Sequence, residues 1–267
     1  MQANDLYQWS RMYDAVVPSS QPTVSAIVIA HNEAHQIREC LATLAWCDEI
    51  VVVDSGSTDA TAAIAAECGA RVTVTHDWPG FGLQKQRALD GARCDWIVSL
   101  DADERMTPAG IAELKQALLS ADASGYRLSR RSWFLTRFIR HSGWWPDEVL
   151  RVSLRSKAHF TGHVVHERLE VDGTVRSLRE PIEHFSYPDR ATVRRKIDEY
   201  SAAGAQELAR RGKPGGLSTA LVHAAWSFLR TYLFRLGVLD GWAGLELAAM
   251  NARTSYWKYI RLGRMKP

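Results

Sequence analysis

The sequence predicts an α/β protein with a mixed, mainly parallel sheet flanked by helices, followed by a C-terminal helical extension. Over the first hundred residues, short β-branched runs alternate with helical stretches, which is typical of parallel strands joined by helices. Beyond residue 125 the apolar runs shorten and a favoured two-residue turn, Asp172-Gly173, indicates a hairpin, so the sheet becomes mixed. After residue 190 three long helical patterns close the chain.

The individual elements follow from periodicity and from capping signals. In the first half, strands are predicted at residues 26–30, 50–53, 71–75 and 96–100. Helices are predicted from about residue 34, from the Ser57-Thr58-Asp59 cap to Cys68, at residues 83–92, and from Thr107 to about Leu119. In the second half, strands are predicted at residues 126–129 and 149–154 and in the hairpin, and helices at residues 191–211, 217–236 and 242–262.

Composition excludes several protein classes. The chain has 267 residues, 46% hydrophobic and 24% charged, which excludes a disordered, collagen-like or multi-span membrane protein. Charge is uneven: residues 1–124 hold 8 Lys/Arg and 17 Asp/Glu, a net −9, whereas residues 125–267 hold 25 and 13, a net +12. An acidic half suits metal ions, and a basic half suits phosphates, anionic lipid or nucleic acid. Two ordinary solvated surfaces are the alternative.

The sequence predicts a cytoplasmic protein. Its four cysteines contain no CxxC pair, so we interpret them as reduced thiols, and the first 20 residues lack the apolar stretch of a secretion signal. The longest uncharged run in the C-terminal third is residues 214–229, shorter than the ~20 residues that span a bilayer.

Three polar motifs stand where predicted strands end. They are SAIVIAHNE (residues 25–33), IVVVDSGSTD (50–59) and WIVSLDADE (96–104). Open α/β sheets bind ligands at the carboxyl ends of their strands. Each motif alone is equally explained by turn or cap residues, and Asp101 and Asp103 alone by an acidic cluster before a helix N-terminus. Together, at this spacing, they favour a site.

These three motifs resemble the family-two inverting glycosyltransferases of the GT-A fold, which use nucleotide-diphosphate sugars; the resemblance covers about residues 23–190. It implies that Asn32, Glu33 and Asp54 line the nucleoside pocket. It also implies that Asp101 faces the ribose and that Asp103 ligates a divalent metal, Mg²⁺ or Mn²⁺. Lys85 and Arg87 are candidate phosphate contacts, although Gln86 between them stands where asparagine is expected.

Three further segments, GWWPDEVLRV (143–152), FTGHVVHE (160–167) and HFSY (184–187), resemble bacterial lipopolysaccharide-core β-1,4-glucosyltransferases. An inverting transfer needs a general base, for which Glu167 is preferred and Asp147 is the alternative. The competing interpretation of Glu167 is a surface salt bridge. His184 is a candidate metal or diphosphate ligand, with a structural role as its alternative. The HxxH pair at His163 and His166 lacks the partners of a zinc site.

The resemblance also predicts how the chain is divided and which molecules it binds. Residues 1–22 form an arm, 23–190 the catalytic domain (23–124 for the nucleotide sugar, 125–190 for the acceptor) and 191–267 a helical extension. The aromatic, apolar and basic residues of the last two helices indicate that this extension associates with a membrane, and a helical hairpin packed on the catalytic sheet or on another subunit is the alternative. The expected partners are a UDP-sugar with glucose favoured, a lipid-linked glycan such as the lipopolysaccharide inner core, and the anionic inner face of the cytoplasmic membrane, without nucleic acid. The competing functions are a sugar-phosphate nucleotidyltransferase and a catalytically silent nucleotide-binding scaffold.

Aromatic and basic residues of the second half are candidate acceptor contacts. Trp133, Trp144 and Trp145 could stack on sugar faces, with core packing as the alternative. The arginines Arg130, Arg131, Arg137 and Arg140 could face a phosphorylated acceptor.

Overall fold

A mixed β-sheet forms the centre of the computed structural model, which describes residues 21–120, 122–161 and 168–265. The strands are β1 (Val24–Ala30), β2 (Glu49–Asp54), β3 (Arg71–Val74), β4 (Trp96–Asp101), β5 (Glu104–Met106), β6 (Gly125–Phe134), β7 (Arg137–Phe138), β8 (Glu148–Leu154), β9 (Ala158–Phe160), β10 (Leu169–Val171), β11 (Val175–Ser177) and β12 (Ile182–Tyr187). The α-helices are α1 (Ile37–Ala42), α2 (Thr61–Glu67), α3 (Phe81–Gly91), α4 (Pro108–Ser120), α5 (Arg190–Arg210), α6 (Leu217–Leu229) and α7 (Gly241–Arg264). A π-helical turn, Arg230–Phe234, and a 3-10 turn, Gly237–Asp240, join α6 to α7.

The main sheet has the strand order β3-β2-β1-β4-β8-β6-β12-β5. Strands β1 to β4 run parallel, whereas β8 is antiparallel to both of its neighbours, β4 and β6. The predicted mixed, mainly parallel sheet flanked by helices is therefore confirmed.

Two predicted elements differ from the structure. The hairpin around Asp172-Gly173 is wrong: β10 pairs with β9 in a separate small sheet, while β11 pairs with β6. The helix predicted to reach residue 236 ends at Leu229, and the π-helical turn follows it. The chain changes direction just after the π-helical turn. Leu236 has a positive φ of 56°, and Gly237 packs so closely against Ser142 that a Cβ atom would not fit.

Three apolar clusters hold these layers together. On one face of the sheet, residues of α1 and α4 such as Leu41 and Leu114 pack against β1 and β4. On the other face, Leu89 of α3 and Phe160 of β9 pack against β1 and β2. A third cluster, including Phe134, joins β6 and β12 to α5 and α7. The C-terminal helices therefore pack on the edge of the sheet that carries the second-half strands.

No helix within the described ranges combines the length and the apolar content needed to cross a bilayer. The division into arm, catalytic domain and extension stays a prediction.

Candidate active site

The carboxyl ends of β1, β2 and β4 meet at one edge of the sheet. Ala30 is in register with Asp54 on one side of β1, and Ile29 is in register with Asp101 on the other. Strands β2 and β3 lie on one side of β1, and β4 lies on its other side, so the order in which strands are added to the sheet changes direction between β1 and β4. Open α/β sheets bind ligands in the crevice at such a switch point. A cavity of about 920 Å³ opens there, between the first-half strand ends and residues of β6, β12 and α5.

Asp101 ends β4 inside this cavity and is held on both sides by cations. Its Oδ1 lies 2.8 Å from Nζ of Lys85, and its Oδ2 accepts a hydrogen bond of 2.6 Å from Nη2 of Arg151. Burial alone would raise the pKa of Asp101, but Arg151 and Lys85 outweigh it and hold that pKa well below its usual range. Asp101 is therefore a fixed carboxylate at neutral pH.

Glu104 lies beneath the strand end and completes this cluster. Its Oε2 accepts a 3.0 Å hydrogen bond from the backbone N–H of Asp101, and its Oε1 accepts a bond from Nη2 of Arg151. Glu104 is fully buried, and this burial raises its pKa despite Arg151. The sequence analysis assigned no role to Arg151 or Glu104, yet these two residues fix the position of Asp101.

Asp103 and His184 approach each other across the cavity floor. Oδ2 of Asp103 lies 3.4 Å from Nε2 of His184, whose Nδ1 is 2.9 Å from the hydroxyl of Ser132. Strand pairing brings them together, because β12 is antiparallel to β5 and the backbone N–H of Phe185 donates to the carbonyl of Asp103. Burial would raise the pKa of Asp103, but the hydrogen bond and charge of His184 lower it.

The Asp103 and His184 pair fits a divalent cation. Two ligands about 2.1 Å from a six-coordinate ion and at right angles to each other stand about 3 Å apart, close to the 3.4 Å here. The contact from Ser132 orients the imidazole so that Nε2 faces the carboxylate. Within the described residues no three His, Cys, Asp or Glu side chains converge, so the remaining ligands would be water or substrate oxygens.

Two more titratable groups of opposite sign line the cavity. Glu33 accepts a 2.7 Å hydrogen bond from Gln36, and burial raises its pKa. Lys196 of α5 lies 4.7 Å from the centre of the Tyr187 ring, and burial lowers its pKa although Asp103 opposes this. The first-half strand ends and the helix α5 thus both supply charge to the cavity.

Of the two candidate bases, Asp147 lines the cavity. Its Oδ2 accepts two hydrogen bonds from Arg130, from Nε at 2.8 Å and from Nη2 at 2.6 Å. Glu167 lies outside the described residues, as do His163 and His166. The preference for Glu167 over Asp147 therefore stays a prediction.

The four remaining predicted nucleotide contacts, Asn32, Asp54, Lys85 and Arg87, are not among the residues that line the cavity. Asn32 accepts a 2.8 Å bond from the backbone N–H of Thr58, and buried Asp54 accepts one of 2.8 Å from the N–H of Ser57. Arg87 forms an ion pair with Asp77. The roles of Asn32, Asp54, Lys85 and Arg87 in binding remain predictions.

Sequence reasoning missed the residue that does line the cavity at the end of β2, Ser55. Buried Gln84 donates hydrogen bonds to the hydroxyls of Ser55, at 2.8 Å, and Thr75, at 2.6 Å. Gln86, the departure from the expected motif, accepts a bond from the backbone N–H of Phe160. It therefore ties α3 to β9. No pattern in a single sequence indicates that Gln84 is buried beside the hydroxyl groups of Ser55 and Thr75.

One of the three predicted stacking tryptophans reaches the cavity. Trp144 lines it and stacks on Tyr187, with ring centres 5.6 Å apart. Trp133 stacks on Phe185, and Trp145 meets Phe138 edge to face. The aromatic side chains among the lining residues are therefore those of Trp144 and Tyr187 together with Trp78, Phe81 and Tyr200.

Sequence comparisons identify the family to which the chain belongs. Residues 25–200 match the family model described as Glycosyl transferase family 2. The lipopolysaccharide core biosynthesis glycosyltransferase LpsC of Rhizobium meliloti strain 1021 is 30% identical over 261 residues, which cover 90% of this chain and 94% of LpsC.

Two solved structures show weaker similarity. The crystal structure of S. aureus TarS 1–349 in complex with UDP-GlcNAc has a TM-score of 0.47 and 14% identity, covering 68% of this chain and 65% of that one. Glucosyl-3-phosphoglycerate synthase from Mycobacterium tuberculosis, in complex with Mn²⁺, UDP and glucosyl-3-phosphoglycerate, has a TM-score of 0.34 and 27% identity, covering 42% and 44%. Both TM-scores are below 0.5, so the family assignment rests on the sequence matches.

The fold is that of a GT-A glycosyltransferase, with C-terminal helices added to the sheet. The chain belongs to glycosyl transferase family 2 and is related to an enzyme of lipopolysaccharide core biosynthesis. The resemblance found in the sequence is thereby confirmed.

Proposed function

We propose that the protein is an inverting, metal-dependent glycosyltransferase that moves a hexose, with glucose favoured, from a UDP-sugar to a lipid-linked bacterial glycan. The observation that carries the proposal is the cavity at the end of β4, where Asp101 is a fixed carboxylate and Asp103 stands 3.4 Å from His184. A carboxylate held by cations suits a ribose hydroxyl, and the Asp103 and His184 pair suits a cation beside a diphosphate.

Inverting transfer is a single displacement at the anomeric carbon of the donor sugar. The acceptor hydroxyl forms the new bond to that carbon while the bond to the UDP oxygen breaks on the opposite face. The base takes the hydroxyl proton, and we assign this role to Glu167, with Asp147 as the alternative. Asp147 would reach an acceptor in the cavity, and its two bonds from Arg130 fix its orientation.

Asp103 and His184 would hold the divalent ion, Mg²⁺ or Mn²⁺. When bound, such an ion neutralises the charge that develops on the leaving diphosphate. Residues of the chain add to this: Lys196 brings a positive charge to the same wall. Trp144 and the exposed Trp78 and Phe81 line the cavity and offer ring faces on which a sugar can stack.

The acceptor class rests on the relationship to LpsC, which is 30% identical along nearly its whole length. The lipopolysaccharide inner core is a lipid-linked glycan, and access to it calls for a position at the anionic inner face of the cytoplasmic membrane. That location and the membrane partner are part of the proposal.

A transfer assay tests the function. The purified chain is incubated with lipopolysaccharide inner-core acceptor, Mn²⁺ and radiolabelled UDP-glucose, UDP-galactose or UDP-GlcNAc. We expect label in the acceptor and release of UDP, fastest with UDP-glucose. Release of pyrophosphate from UTP and a sugar phosphate would instead indicate a nucleotidyltransferase, and UDP binding without any turnover would indicate a silent scaffold. Either result would contradict the proposal.

A further inference from the structure

Large apolar side chains are exposed along one continuous stretch of the C-terminal helices. This stretch runs from the start of α6 to the start of α7, and we call its exposed side chains the apolar face. They are Leu217, Leu221, Val222, Trp226, Leu229, Leu233, Phe234, Leu236, Val238, Leu239 and Trp242. These 11 residues account for more than half of the 19 large hydrophobic side chains that are exposed within the described residues. Such a concentration marks a surface that another body covers.

The apolar face does not arise from poor packing of α6. The opposite side of the helix packs on α7, where Ala220 is fully buried and the ring of His223 stacks on Tyr259 at 4.1 Å. The far end of α7, predicted to join the membrane contact, also packs internally, since Arg261 pairs with Asp198 of α5. The helices therefore pack on one another through other residues, and the exposed apolar side chains are not required for that packing.

The charges on and around the apolar face have one sign. Within residues 217–242 the exposed charged side chains are Arg230 and Arg235, while Asp240 is buried. The exposed arginines Arg137 and Arg140 lie next to the apolar face, because Arg137 approaches Gly241 and the backbone N–H of Arg140 donates a hydrogen bond to Asp240. Across the described ranges, none of these four arginines forms an ion pair, so the face is complementary to an anionic surface.

The charge pattern also separates a bilayer from a second copy of the chain. A symmetric dimer places the same patch on both sides of its interface. Here that arrangement would bring unpaired arginines together without an exposed carboxylate to neutralise them. Anionic lipid headgroups neutralise arginine, and the acyl region accepts Leu, Phe and Trp side chains.

The apolar face is joined directly to the wall of the cavity. The backbone N–H of Ser142 donates to the carbonyl of Arg235 at 2.7 Å, and Asp240 accepts hydrogen bonds from the backbone N–H groups of Arg140 and His141. The next residues, Gly143 and Trp144, line the cavity, and the Arg235 side chain lies against Gly143. The wall of the cavity and the apolar face thus share one segment of the chain.

We propose that the apolar face seats on an anionic bilayer and thereby holds the Gly143 and Trp144 edge of the cavity at the membrane surface. This inference rests on the proposed function in one respect, namely that a lipid-linked acceptor would enter the cavity across this edge. Binding combines burial of leucine, phenylalanine and tryptophan side chains with attraction of Arg137, Arg140, Arg230 and Arg235 to headgroups.

Vesicle flotation tests the proposal without requiring any catalysis. The full chain is mixed with phosphatidylcholine vesicles that contain or lack 40% phosphatidylglycerol, at low and high salt. We expect flotation with the anionic vesicles at low salt, weakened by salt, and little flotation with phosphatidylcholine alone.

Variants map the surface. Leu239→Glu with Trp242→Glu should lower the vesicle partition coefficient at least tenfold, and Arg230→Glu should lower it about fivefold or more. Leu119→Glu, at an exposed leucine of α4 outside the apolar face, is the matched control and should float like the wild type.

Three results would overturn the docking proposal. They are no flotation of the wild type, equal flotation with both kinds of vesicle, or a dimer in sedimentation that Leu239→Glu with Trp242→Glu converts to a monomer. Calorimetric binding of UDP to the same samples separates this proposal from the proposed function. Intact UDP binding without flotation removes the membrane face and the membrane location but leaves the donor assignment, whereas flotation without UDP binding removes the donor assignment alone.

Discussion

Arg151 is the residue on which the geometry of Asp101 depends. It is almost fully buried and bonds to both Asp101 and Glu104, so its removal leaves the buried carboxylate of Glu104 and the half-buried carboxylate of Asp101 without their shared cation. We expect Arg151→Met to lower the free energy of unfolding by about 3–5 kcal/mol, measured by urea denaturation. Arg127→Met, at an exposed arginine on the neighbouring strand β6, is the control and should change it by less than about 0.5 kcal/mol. A loss below about 1 kcal/mol in Arg151→Met would refute the role of this cluster.

The raised pKa of Glu33 predicts how the free energy of unfolding changes with pH. Burial raises the pKa of Glu33 above its ordinary value of 4.5, so the folded state binds this proton more tightly than the unfolded chain does. The stabilisation from protonated Glu33 is fully present below pH 4.5, and it is lost as the pH rises through the pKa that Glu33 has in the folded protein. Glu33→Gln cannot ionise, so its melting temperature should exceed that of the wild type at pH 7, with the difference gone at pH 4. A lower melting temperature at pH 7 would contradict this sign.

Steady-state kinetics distinguish the general base from a carboxylate that only positions the acceptor. Glu167→Gln should lower kcat by two or more orders of magnitude and leave the KM for the UDP-sugar unchanged, because a base acts only in the transition state. Asp147→Asn should mainly raise the KM for the acceptor, since the Asp147 carboxylate is held by Arg130 at the cavity wall. The reverse pattern would assign the base to Asp147.

At the residue scale, the sequence predicted the acidic pair Asp101 and Asp103 but not what positions it. Arg151 does leave a trace, because it is the single charged residue within the apolar run 149–154 and therefore needs a buried partner. The register of β12 against β5, which brings His184 to Asp103, is a tertiary pairing that no local pattern encodes.

The element that joins α6 to α7 depends on one buried carboxylate. Asp240 accepts hydrogen bonds from the backbone N–H groups of Arg140 and His141 and from the hydroxyl of Ser142. Asp240→Ala leaves these donors without their acceptor, so we expect a loss of about 1–3 kcal/mol in the free energy of unfolding. Chemical denaturation measures the loss; the control Asp198→Ala removes an exposed carboxylate that pairs with Arg261 and should cost at most about 1 kcal/mol. An Asp240→Ala variant as stable as the wild type would show that these bonds do not hold the junction.

Local signals predict turns better than they predict strand partners. Asp172-Gly173 does form a turn, with Gly173 at a φ of 127°, yet the strands on either side join different sheets. The long first-half strands were predicted because their apolar runs are buried on both faces, which constrains the sequence of each strand independently. Short strands such as β11 carry too few residues for that constraint.

At the scale of the whole molecule, the uneven charge of the two halves has a structural explanation. The acidic half supplies Glu33, Asp101 and Asp103 to the cavity, and the basic half supplies Arg130, Arg151 and Lys196 to the same place. Part of the asymmetry is thus neutralised inside one site. Four further arginines, Arg137, Arg140, Arg230 and Arg235, lie beside the apolar face, where composition alone indicated only a general preference for anionic partners.

The central claim, a nucleotide-sugar site that works through a divalent ion at Asp103, is tested most directly by calorimetric titration of UDP. The wild type, Asp103→Asn and the control Asp198→Asn are each titrated in Mn²⁺ and in EDTA. We predict that EDTA weakens binding at least tenfold in the wild type and the control, and that Asp103→Asn binds equally weakly in both solutions. Equal affinity of the wild type in Mn²⁺ and EDTA, or full metal-dependent affinity in Asp103→Asn, would contradict the account.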